Sequence, residues 1–210
     1  MSKVRLYGDT SGYVDLKAPD VANDVTITLP NETGPFATES YVDTEVAAAG
    51  GLVAVKQATQ GGAVTLSIAA GSSADITGLS ITHALSDAAN KVLLFAYIGQ
   101  MYASTAYAAQ LAGFAVDGTL VGIADSAGNR RRAGVGGRSH YNTIDYPWTS
   151  PPLMYLYAPG DTSSHDYTLR GINGLSSGTQ TLYINRNHSD TDTSTNPRTL
   201  SSIILQEVKV

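Results

Sequence analysis

The chain has no cysteine and little charge: only 15% of its 210 residues are Asp, Glu, Lys or Arg. Without cysteine there is no disulfide staple and no thiolate chemistry. Packing and hydrogen bonding must hold whatever fold forms. Positive charge is the scarcer kind, 13 Lys and Arg against 18 Asp and Glu, and the net charge of −5 speaks against a general nucleic-acid binder. No apolar run approaches the ~20 residues that a membrane-spanning helix needs, so no membrane insertion is expected. The opening Met-Ser-Lys-Val-Arg-Leu lacks the apolar core of a signal peptide, and synthesis in a cytoplasm without export is the simplest expectation. There is no phosphate-cradling Gly loop with Lys, no nucleophile elbow and no repeat of fixed period. The chain is therefore expected to be no enzyme and to carry no cofactor and no metal.

What is present favours strands. Glycine numbers 21 and tyrosine 12. Glycine tolerates the positive φ of tight turns, and tyrosine suits pleated, half-buried surfaces. The most apolar run, residues 91–100, reads Lys-Val-Leu-Leu-Phe-Ala-Tyr-Ile-Gly-Gln. On a strand, Val92, Leu94, Ala96 and Ile98 share one face, and Leu93, Phe95 and Tyr97 the other. Since both faces are apolar, we expect a central strand covered on both sides, with Phe95 buried between two layers of a β-sandwich.

Three short alternating segments open the chain: Val4 and Leu6; Val14, Leu16 and Ala18; Val25, Ile27 and Leu29. So small a set buries little by itself, and outside help must come from a second copy or a second domain. Residues 38–49 are the best helix candidate. Ser40 with Asp43 resembles a capping box, Val42 and Val46 stand four apart, and Gly50-Gly51 ends the run. Such a helix is marginal alone; it could lie on the sandwich or join other chains as a short helical neck, the reading adopted here.

The run Arg5-Leu6-Tyr7-Gly8-Asp9-Thr10-Ser11-Gly12, then Val14-Asp15-Leu16-Lys17-Ala18-Pro19, resembles an N-terminal module of structural proteins of tailed bacteriophages, notably marine and cyanobacterial phages. Thr26-Ile27-Thr28-Leu29-Pro30, Phe36-Ala37-Thr38 and Ser40-Tyr41-Val42-Asp43 continue the pattern, so the resemblance covers residues 4–46. Near the other end, Ser201-Ser202-Ile203-Ile204-Leu205-Gln206-Glu207 resembles the closing strand of phage fibre heads. The resemblance implies a fibre-like virion protein, a homotrimer attached to the particle by its N-terminal part.

Further alternating segments follow. Val64, Leu66 and Ile68 form one, and Leu79, Ile81, His83 and Leu85 another. His83 falls on the apolar side and reads as a hydrogen-bonded core or interface histidine. Asp117-Gly118 between 114–116 and 120–123 is a hairpin signal. Residues 153–158, 167–172, 181–185 and 200–210 read as strands. Asp190 and Asp192 lie in a polar loop, without the ligand spacing of a calcium site. Asp161, Ser164 and His165 read as turn chemistry rather than a triad, since triads are assembled from separate elements.

Residues 126–152 lack alternation and hold Arg130, Arg131, Arg132 and Arg138, followed by Tyr146 and Trp148. Arg forks recognise carboxylates and phosphates, and aromatic faces stack on sugars. This irregular loop is the candidate receptor-binding segment, facing an acidic host-surface glycan. Arginines paired with a neighbouring subunit, or merely solvated, are the alternatives.

The reading as a whole is all-β. An N-terminal β module with a short helical neck, 1–51, attaches to the virion and trimerises; a jelly-roll-like β-sandwich head follows, 52–210. The function expected is that of a trimeric short tail fibre that binds the host cell. The alternative is a capsid decoration or head-fibre protein that stabilises the phage head. Partners would be two further copies and other virion proteins of baseplate, tail or capsid, and the location the virion.

Overall fold

A computed structural model describes residues 3–7, 13–17, 51–105, 108–138 and 152–210. The chain divides into two compact units, 1–41 and 42–210. In the first, β1 (Lys3–Tyr7) and β2 (Tyr13–Lys17) form an antiparallel hairpin. Its register sets Val4 opposite Leu16 and Leu6 opposite Val14, so the alternating apolar positions of the two strands fall in step. The third expected N-terminal strand and the expected helix at 38–49 lie outside the described residues.

The second unit is all-β among the described residues, with every strand pair antiparallel. Twelve strands follow one another: β3 (Leu52–Gln60), β4 (Val64–Ala69), β5 (Ser73–Ala84), β6 (Lys91–Tyr97), β7 (Met101–Ala103), β8 (Ala109–Val116), β9 (Thr119–Val121), β10 (Val135–Arg138), β11 (Leu153–Tyr157), β12 (Ser164–Asn173), β13 (Thr179–Ile184) and β14 (Ser201–Val208). They build three sheets. One has the order β10-β8-β12-β5 with β9 also on β8; the second is β11-β6-β14-β3; the third is β4-β13-β7. One core joins them, fed by Leu66 and Ile68 of β4, Leu79 and Ile81 of β5, Leu94 of β6, Phe114 of β8, Leu169 of β12, Leu182 of β13, and Ile203 and Leu205 of β14. Layered antiparallel sheets around one core are consistent with a β-sandwich. Where β12 crosses the third sheet, Gly171 allows a close approach: a Cβ there would stand 3.0 Å from the side chains of both Leu66 and Leu182, which would have to give way by a few tenths of an ångström.

The hairpin at Asp117-Gly118 forms as expected. Asp117 has φ 49° and Gly118 φ 79°, and Val116 pairs with Thr119 across the turn. Two positive φ values are what a two-residue turn of this twist needs.

The central strand departs from expectation on one face. Val92, Leu94 and Ala96 of β6 are buried, but Leu93 and Phe95 are only half-buried and Tyr97 is 50% exposed. Phe95 is therefore not enclosed between two layers of one chain. The register shows what shares its face. Leu93 stands between Leu156 and Gln206, and Phe95 between Met154 and Ile204. Val55 pairs with Gln206 and Gln57 with Ile204. The outer face of the four-stranded sheet is thus mainly apolar, and no layer of the described chain covers it.

Two polar clusters tie the sheets together. Asn185, fully buried at φ 60°, donates from Nδ2 to the Gln60 carbonyl at 2.5 Å and accepts from Ser201 Oγ at 2.6 Å. Its N–H donates to the Gln100 carbonyl at 3.0 Å. It fastens the ends of β3 and β13 to the start of β14 and the β6–β7 join. The second cluster is centred on Glu207 of β14, 1% exposed. Its Oε2 lies 2.9 Å from Nε2 of His83 on β5. Its Oε1 accepts from the Ser86 N–H at 2.8 Å, Ser86 Oγ at 2.7 Å and Asn90 Nδ2 at 2.6 Å. The histidine expected on the apolar side is therefore a hydrogen-bonded core residue.

Burial alone would raise the Glu207 pKa, but the bonds from Ser86, Asn90 and His83 outweigh it and hold the carboxyl down to about 2, from 4.5. A depressed carboxylate stabilises the fold above its unfolded pKa and loses that contribution as pH falls through the folded value. A shift of this size corresponds to about 3 kcal/mol. Denaturant unfolding should therefore show stability flat with respect to this group above pH 4.5, then falling by about that amount toward pH 2. Glu207→Gln should flatten this part of the profile; an unchanged profile would show that the carboxylate does not carry it.

Candidate functional site

The arginine-rich segment is only partly irregular. Strands β9 and β10 both pair with the same edge of β8, β9 along residues 114–116 and β10 along 109–112. The chain between them makes an excursion and returns. Its base is closed by the Ala124 N–H to the Ala133 carbonyl at 3.2 Å and the Gly134 N–H to the Ala112 carbonyl at 3.0 Å. The expected long loop thus contains a strand, β10, which sequence pattern missed because Val-Gly-Gly-Arg has no apolar alternation. Its pairing with β8 is a backbone matter.

The structure separates the expected site residues. Arg132 donates from Nε to the Ala124 carbonyl at 2.6 Å and so braces the base of the loop. Arg131 reaches across and donates from Nη2 to the Leu175 carbonyl at 2.9 Å. Arg130 sits in the turn closed by its own N–H to the Ala127 carbonyl at 3.3 Å. Arg138 ends β10. Tyr146 and Trp148 lie outside the described residues, so aromatic stacking beside the arginines is not on view.

Arg130 and Arg131 line an open pocket of 680 Å³ together with Gly128, Asn129, Gly174 and Ser176. One wall is the loop tip; the other is the turn between β12 and β13. That second wall is fixed from below by two fully buried amides. Asn173 donates from Nδ2 to the Ile68 carbonyl at 2.6 Å and accepts from the Leu175 N–H at 2.6 Å. Gln180 accepts from the Gly174 N–H at 2.6 Å and donates to the Ala109 carbonyl at 3.0 Å. Sequence reading missed both, although a polar residue at a buried register position is the available signal: Gln180 alternates with Leu182 and Ile184 on β13. No carboxylate among the described residues forms an ion pair with Arg130 or Arg131. Two guanidiniums without an acidic partner among the described residues line this braced pocket and offer planar donors to an anion.

The other sequence clusters are structural. Asp190 pairs with Arg198 and, at 2.9 Å, with Arg186, and the two bonds outweigh partial burial to hold its carboxyl below the usual range. Among the described residues no group of three or more His, Cys, Asp or Glu is placed to hold a metal ion. No helix among them is long and apolar enough to cross a membrane.

At the other end of β12 from the pocket, His165 bridges two carboxylates, Nδ1 to Asp117 Oδ2 at 2.6 Å and Nε2 to Asp161 Oδ1 at 3.2 Å. Asp161 also accepts the Ser163 N–H at 2.7 Å, and Asp117 accepts the Asp166 N–H at 2.9 Å. Both ring nitrogens are occupied, which leaves none to act as a base toward Ser163 or Ser164. The cluster locks the β8–β9 turn to the start of β12. The bond to Asp117 raises the His165 pKa above 6.5; partial burial opposes this, and the bond to Asp161 adds to it. A raised histidine stabilises the fold fully below its unfolded pKa, and that contribution is lost as pH rises through the folded value. NMR titration should place the His165 midpoint above 6.5, and Asp117→Asn should move it down. A midpoint at or below 6.5 in the unsubstituted protein would mean the bridge is not formed in solution.

No protein-family model matches the chain, and no curated protein sequence does. Among solved structures it is similar to the tripod (BppUct-A-L) from the baseplate of bacteriophage Tuc2009. The identity is 13% and the TM-score 0.27, over 96% of this chain and 82% of that one. A TM-score this low establishes no shared fold.

Proposed function

We propose that the protein is a bacteriophage virion structural protein that works by binding and not by catalysis: a homotrimeric short tail fibre. Its N-terminal module, with a short helical neck, attaches to other virion proteins, and its β-sandwich head contacts the host cell surface. The observation that carries the binding role is the braced pocket in which Arg130 and Arg131 have no acidic partner among the described residues. In a chain of net charge −5, cationic groups that have no acidic partner among the described residues at one pocket suit an acidic ligand, such as the carboxylate or sulfate of a surface glycan. The virion assignment rests on the order of sequence motifs over residues 4–46 and on the closing segment 201–207. The β1–β2 hairpin supports it by forming over the first of those motifs.

The second reading is a capsid decoration protein, in which the same arginines meet acidic groups of a neighbouring virion subunit. The exposure of Arg130 and Arg131 favours neither surface over the other. Antibody labelling of intact particles separates the two, since a fibre labels the tail and a decoration protein the head.

The binding role is tested with the full chain and susceptible cells. Arg130→Ala with Arg131→Ala should weaken cell binding by ~tenfold or more, because charge-assisted bonds are lost from each of several copies. Thermal unfolding should stay close to that of the unsubstituted protein. If the unsubstituted protein binds no susceptible host cell, the pocket is not a host-receptor site.

A further inference from the structure

The outer face of the four-stranded sheet is too apolar for a surface left in water. Rows across β11, β6, β14 and β3 read Leu156, Leu93, Gln206, Val55 and Met154, Phe95, Ile204, Gln57. Met154 is 68% exposed, Val55 55% and Leu156 48%. Tyr97, in a flanking row, is 50% exposed as well. Contiguous exposed apolar side chains of this kind mark an interaction surface.

We infer that this face is the contact between head domains of neighbouring copies of the chain. The inference rests on the trimer reading above and assigns the surface that makes it. Charge selects the occupant. The two central rows hold no charged residue, so a partner recognised by opposite charge gains nothing here. A membrane surface is disfavoured too, because Lys91 is the only cation in the four rows and the chain is acidic overall. The surface that complements an uncharged, pleated, apolar face is another such face. Three copies supply it when each turns this sheet toward a common threefold axis, so that the three faces are withdrawn from water together. The arrangement also gives the second apolar face of β6 the cover that the described residues do not supply.

The test uses the full chain. In sedimentation velocity the unsubstituted protein should run as a trimer. Met154→Glu with Leu156→Glu should shift it to smaller species, with a far-ultraviolet spectrum unchanged. Leu200→Glu, at a 55% exposed leucine outside these rows, should leave the trimer intact. Hydroxyl-radical footprinting of the unsubstituted protein needs no variant: Met154 should oxidise slowly for so exposed a methionine and become reactive on dilution to monomer. A trimer that survives both glutamates, or fast Met154 oxidation within the trimer, would overturn this interface and leave the trimeric fibre standing on another contact. A stable monomer at micromolar concentration would overturn both.

Discussion

A buried carboxylate sets the terms for the second unit of the chain. Glu207 lies on the last strand, facing inward, where a charge costs several kcal/mol unless it is fully hydrogen-bonded. It is bonded by Ser86, Asn90 and His83, groups that come from β5 and the turn after it. The four-stranded and five-stranded sheets must therefore be brought to one relative position before the carboxylate is satisfied. Hydrophobic burial, being non-directional, would tolerate small slides between layers; this network does not. Asn185 acts in the same way at the junction of the four-stranded and three-stranded sheets.

The pocket inherits its shape from that framework. Its loop wall exists because β9 and β10 share one edge of β8, which forces the residues between them outward and returns them to the same sheet. Its other wall is held by Asn173 and Gln180, whose amides satisfy backbone groups of the β12–β13 turn from inside the core. Arg131 then spans the two walls. Arg132 braces the loop base, Arg131 joins the walls and lines the pocket, and Arg130 lines it from the loop tip. The three consecutive arginines, equivalent as letters, thus have three different positions.

The two faces of the four-stranded sheet meet different demands. The inner face takes part in the common core. The outer face is nearly as apolar, and no layer of the described residues covers it.

The sequence by itself determined the local order: strands at 64–68, 79–85, 114–116 and 167–172, the closing strand expected at 200–210 and found at 201–208, the turn at Asp117-Gly118, and the inward register of His83. These are legible because alternation and turn chemistry act between near neighbours in the chain. Strand β3 escaped because its inward positions are Ala54, Lys56 and Ala58, which give no apolar alternation. β10 escaped because backbone pairing leaves no side-chain pattern. The arginines were visible as a cluster, but their separate positions depend on carbonyls at Ala124 and Leu175, the second 44 residues away from Arg131. The same holds for Glu207 and His83, 124 residues apart, each visible as a polar residue in an apolar register and joined only by the packing of two sheets. Whether the second apolar face of β6 lies inside or outside was likewise decided by tertiary structure, since strand period fixes which residues share a face and only the layering of sheets fixes what covers it.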